Sequence, residues 1–97
     1  MQIEELRNQA REIWGDEPMT LDHIVATIGV VYGDICRQAR KQHEQQSVHN
    51  EALQKELGNL IFSCIRWCDD LGFDAQACIA RAANAQQQYV AQQKEAA

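Results

Sequence analysis

The side chains best placed to do chemistry gather around three glycines. Gly29, Gly33 and Gly58 fall inside segments of helical apolar periodicity, where each costs about 1 kcal/mol relative to alanine. A missing side chain lets a neighbouring backbone approach, so close helix crossing accounts for them. The same crossing would make a cleft lined by the residues beside the glycines: Tyr32, Asp34, Glu56 and Asn59. A second group is sulfur-based. Cys64 and Cys68 are four apart and, with Cys36 and His23, could form a tetrahedral zinc site. Neither a CxxC nor an HxxxH pair accompanies them, so all four cysteines, Cys78 included, read better as reduced, small core residues. The pair Asp69-Asp70 lies 13 and 14 residues beyond Glu56 on the same expected helix, about 20 Å away, too far to share a ligand with it. Acidic groups at a helix C-terminus oppose the helix dipole, which points to a basic partner such as Arg81.

Four helices must position these groups. Residues 2–14 place Ile3, Leu6, Ala10 and Ile13 on one stripe, and Gly15-Asp16-Glu17-Pro18 stops it. Thr20 caps a second helix, whose apolar positions Leu21, Ile24, Val25, Ile28, Val31, Tyr32, Ile35, Cys36 and Ala39 lead into the polar run 40–46. Ser47 or Asn50 caps a third, with its stripe running from Leu53 to Leu71. Gly72 supplies the left-handed residue after it, and Asp74 caps a last, Ala-rich helix over about 75–92, beyond which the QQKEAA tail is expected to fray. The architecture that follows is all-α, a four-helix bundle in a single domain over residues 1–97.

Composition narrows the function classes. The chain has 97 residues and a net charge of -5, which argues against a nonspecific grip on nucleic acid phosphates. A hydrophobic content of 45% with one proline is that of a folded domain. A chain this short removes only about 60–65% of its extended surface on folding, so a second copy would help. The N-terminus is charged from its fourth residue, and the longest apolar stretch, 24–33, is interrupted by Thr27. It is about half of a membrane span. No export signal, no membrane and a cytoplasmic location are therefore expected.

Residues 55–90, KELGNLIFSCIRWCDDLGFDAQACIARAANAQQQYV, resemble the second half of a MazG-like nucleotide pyrophosphohydrolase domain. They carry an ELGD-type motif, an LG-hydrophobic-D helix joint and an Ala-rich last helix. Residues 23–41, HIVATIGVVYGDICRQARK, are similar to that family's first metal helix. The resemblance implies the all-α NTP pyrophosphatase fold completed by oligomerisation, as a homodimer or homotetramer. It also implies Mg2+, or Mn2+, held by EExxE on one helix and ExxD on the next, and cleavage of a nucleoside triphosphate to the monophosphate and pyrophosphate. Aligning the glycines puts Val30 and Val31 at the two leading glutamates, Asp34 at the third, Glu56 at the first position of ExxD and Asn59 at the second. Asp34 and Glu56 are then the expected catalytic metal ligands, with Asn59 assisting. Arg37 and Lys55 are in reach of phosphate, and Tyr32 and Trp14 are available to the base, although a solvated helical face and a core or interface anchor explain the same residues. Five motif positions retain two carboxylates. Two functions are therefore expected to compete: a magnesium-dependent pyrophosphohydrolase, and a non-catalytic nucleotide-binding or protein-interaction member of the same fold.

Overall fold

The computed structural model describes residues 2–45 and 50–96. Among them are four helices: α1 (Ile3–Trp14), α2 (Leu21–Gln45), α3 (Asn50–Asp70) and α4 (Ala75–Ala96). There is no strand among the described residues. Local chemistry sets the breaks. Gly15 takes φ 88° after α1, and the Thr20 hydroxyl accepts from the His23 amide at 3.3 Å to cap α2. After α3, Gly72 takes φ 77°. Its amide donates to Asp69 O at 3.0 Å, and the Phe73 amide donates to Cys68 O at 2.8 Å. These two bonds are the Schellman pair that satisfies the last carbonyls of a helix and turns the chain. Ser47, proposed as a cap, lies outside the described residues. The last helix runs on to Ala96 instead of fraying after residue 92. Its run of Ala, Gln, Lys and Glu consists of strong helix formers, which carries the helix through the tail.

Helix α3 is the centre of the molecule, with α1 and α2 packed against it and α4 meeting it near the joint. On the α2 side, Ile24, Val31 and Trp67 form the buried cluster, flanked by Met19, Ile35, Leu60 and Leu71. Ala10 and Ile65 are buried on the α1 side. Between them Arg66, charged yet 4% exposed, ties α1 and the following loop to α3. Its guanidinium donates to Asp70 Oδ1 at 2.8 Å, Ala10 O at 3.3 Å, Gly15 O at 2.5 Å and Glu17 O at 2.9 Å. Gly15 and Glu17 lie past the end of α1, where no helical amide meets their carbonyls, and the fork of Arg66 supplies the donors.

Three sequence expectations need correction. A Cβ built on Gly29, Gly33 or Gly58 would meet no neighbouring atom within 4 Å, so no other helix among the described residues crosses closely there. The cysteines are not core residues: Cys36 and Cys64 are exposed, and Cys68 and Cys78 are half-buried. The apolar stripes of α2 and α3 are broader than the contact between the helices, which leaves these thiols on its open side. Finally, Asp69 and Asp70 find their partners not in Arg81 but in Arg11 of α1, which lies along the end of α3, and in Arg66 one turn back on α3 itself.

Candidate functional site

A cleft of about 470 Å³ opens between the N-terminal part of α2, the second half of α3 and the end of α1. Thr27, Val30, Val31 and Asp34 form one wall, Asn59, Ser63, Arg66 and Trp67 the other, and Trp14, Glu17 and Met19 close one end. Early α2 residues thus face late α3 residues, so the two helices run antiparallel. Positions 27, 30, 31 and 34 share a face because residues three and four apart lie one above another on a helix, and the same holds for 59, 63, 66 and 67.

The structure brings together Asp34, Asn59 and Trp14 from the residues the sequence points to. It also settles the facing of Val30 and Val31, since both valines line the cleft beside Asp34. The remaining candidates stand elsewhere. Tyr32 is exposed, two residues and about 200° of helical turn from Asp34. The Cys36 thiol beside it pushes its hydroxyl pKa up, chiefly by hydrogen bonding. Lys55 is exposed, Glu56 is half-buried one turn before Asn59, and neither lines the cleft. Arg37 is ion-paired with Asp34 across one turn of α2.

Electrostatics disfavour an anionic occupant. Glu17 and Asp34 bring carboxylates to the lining, and its one guanidinium, Arg66, is spent on Asp70 and three backbone carbonyls. Asn59 Oδ1 accepts from Ser63 Oγ at 3.4 Å, which leaves the amide N–H groups of Asn59 to donate. Two indoles, Trp14 and Trp67, and the valines supply apolar walls. The Trp14 ring is itself steadied by Phe62, with centroids 5.2 Å apart and planes tilted by 40°.

Magnesium requires near-octahedral oxygen coordination, with carboxylates supplementing phosphates and water. Here Asp34 is paired with Arg37, Glu56 lies outside the cleft lining, and the leading motif positions are valine methyls. No group of three or more His, Cys, Asp or Glu among the described residues is placed to hold a metal ion. The residues present do not fit the metal that the resemblance implies. The zinc grouping fares no better: Cys36, Cys64, Cys68 and His23 do not come together as a metal-holding group among the described residues.

Sequence reasoning missed Glu17, Met19, Thr27, Ser63, Arg66 and Trp67 as lining residues. Arg66 carried a signal: it is the one charge inside the apolar run 60–68, where a cation survives only with partners. The fold and the cleft define a helical protein with a ligand-sized recess between α2 and α3. Neither a scan against protein-family models nor searches of curated proteins and of solved structures finds a match to this chain.

Proposed function

We propose that the chain is a MazG-like helical domain kept as a binding module, which takes an uncharged nucleoside-type ligand in the α2–α3 cleft and performs no metal-dependent hydrolysis. One observation carries the reading: Val30 and Val31, at the positions of the two leading metal glutamates, line the cleft beside Asp34 and Asn59. Hydrated magnesium is not accommodated against methyl groups, whereas a planar ring is. Trp14, 48% exposed, offers a face for stacking, worth about 1–3 kcal/mol per base, while the mostly buried Trp67 adds only an apolar edge to the wall. Asp34 and the Asn59 amide offer an acceptor and donors for the ring's polar edge. A triphosphate would enter between the carboxylates of Glu17 and Asp34 with no uncommitted cation on the lining to meet it. Assembly with one or more further copies and a cytoplasmic location belong to the same proposal. No helix among the described residues is long and apolar enough to cross a membrane.

Tryptophan emission tests the reading, because both indoles line the site. Titration with the four common ribonucleosides is expected to shift emission for at least one, and Asn59→Leu to abolish the shift. Trp14→Phe is expected to preserve binding and Trp14→Ala to weaken it. Emission unmoved by any nucleoside in the folded chain would refute the proposal.

A further inference from the structure

Helix α4 is held to the rest of the chain at one end. Of its residues Ala75–Ala96, Ala75 is buried, Cys78 is half-buried and the others are exposed. These two lie three positions apart, on one face of the first turn, so α4 meets α3 there. The end of α3 comes to the same place. Its last turn folds back through the left-handed Gly72, with the Phe73 amide donating to Cys68 O at 2.8 Å, and the Cys78 amide closes the first turn of α4 on Asp74 O at 3.0 Å. Cys68 and Cys78 are thereby brought together across the joint, thiol against thiol in hydrogen-bonding contact. Both are free cysteines.

Small size accounts for a single half-buried cysteine. Two thiols in contact have a chemistry that neither has alone, because an oxidised sulfur on one side is within reach of a thiol that can resolve it. The position adds a consequence. The contact sits where α4 is attached, so a covalent bond there would fix the angle at which the exposed length of α4 leaves α3.

We infer that Cys68 and Cys78 are a reversible redox pair, closed by a peroxide into a disulfide that locks α4 to α3 and reopened by a dithiol reductant. In the first step the Cys78 sulfur attacks one peroxide oxygen, the O–O bond breaks, and a sulfenic acid forms as the other oxygen leaves as water or an alcohol. In the second the Cys68 sulfur attacks the sulfenic sulfur, the S–O bond breaks, and water leaves with the Cys68 proton. One peroxide is reduced and two thiols are oxidised. Cys78 reacts first, because burial, with Cys78 beside it, pushes the Cys68 thiol up to about 11, and the thiolate is the form that attacks. Where thiols are kept reduced, such a bond lasts only while oxidant is present, which makes it a switch and not a staple. The inference is independent of the cleft and of its ligand.

Peptide mass after oxidation tests it. Trypsin cuts after Arg66 and Arg81, so both cysteines leave on one peptide, 67–81. After treatment of the folded parent chain with hydrogen peroxide and alkylation of the remaining thiols in denaturant, this peptide is expected to be unalkylated and two hydrogens lighter, and to be alkylated at both cysteines once dithiothreitol has been added. The variant Cys36→Ser with Cys64→Ser, which leaves this pair alone, is expected to close it as the parent does. Its Tm is expected to rise by about 10 °C on oxidation, since even a short closed loop constrains the unfolded chain. Cys78→Ser, with the circular dichroism of the reduced parent, is expected to show neither effect. A peptide 67–81 that keeps two alkylatable thiols, bonds to Cys36 or Cys64 in place of this one, or a bond that leaves Tm unchanged overturns the inference.

Discussion

Replacing Arg66 by methionine removes the one side chain that joins α1, the following loop and α3. The Arg66 and Asp70 side chains are 5% and 3% exposed. Asp70 Oδ2 has no partner among the described residues, so Arg66 is what compensates its charge. Breaking a buried pair from one side costs about 3–5 kcal/mol, because an uncompensated charge stays behind. The carbonyls of Ala10, Gly15 and Glu17 lose their donor as well, although relaxation of the α1 end lets water reach them. Against a total of about 5–15 kcal/mol for a domain, the loss is large, equivalent to about 15–30 °C in Tm for a chain of this length. Urea unfolding followed by circular dichroism at fixed chain concentration measures it. The double change Arg66→Met with Asp70→Leu is expected to be less destabilised than the single, since replacing both members of a buried pair by apolar groups is often neutral. A single-variant loss below about 1 kcal/mol, or a double variant worse than the single, would refute the argument that Arg66 is the tie between α1 and α3.

Two smaller effects follow from the same packing. Arg11 Nε and Nη2 grip both oxygens of Asp69 at 2.7 Å, and this hydrogen-bonded pair holds the Asp69 carboxyl below its ordinary range. A carboxylate whose pKa is depressed by folding contributes stability above its unfolded value of about 4, and that contribution is lost as pH falls through the folded value. Asp69→Asn is therefore expected to unfold at lower urea than the parent at neutral pH and to converge with it as the pH falls through the depressed folded value, as a pH series of urea midpoints would show; a constant gap would contradict the pairing. Gly33→Ala meets no atom within 4 Å and lies within regular helix, so it is expected to raise stability by about 0.5–1 kcal/mol, and a lowered Tm would mean that an outside surface fills that position.

Helices and joints were legible in the sequence because their causes are local. The period of apolar residues in α2 and α3, the Thr20 cap and the left-handed Gly72 all act within a few positions. So was part of the site: Asp34, Asn59 and Trp14 do meet in one cleft, since the spacing of α2 and α3 residues fixes which side each occupies. Arg66 was not legible, because three of its four partners are backbone carbonyls 49 to 56 residues away, and a carbonyl has no identity in a sequence. The partner of Asp69 was misread because Arg11 lies 58 residues away on α1, and that of Asp70 because Arg66, one turn back on the same helix, was not weighed. The cysteines and glycines were misread for another reason: each sits on a helical stripe that looks buried, but the contact between α2 and α3 covers only part of it. A helix can show a continuous apolar pattern to two different neighbours, and the pattern alone does not say which neighbour belongs to the same chain.

The central claim is that the cleft binds without a metal. Calorimetric titration of the chain with the four ribonucleosides and their triphosphates, in magnesium and again in a chelator, tests it most directly. A nucleoside affinity that magnesium leaves unchanged, a triphosphate bound no more tightly than its nucleoside, and no released pyrophosphate are the predicted result. Triphosphate binding that needs magnesium and ends in pyrophosphate would contradict it.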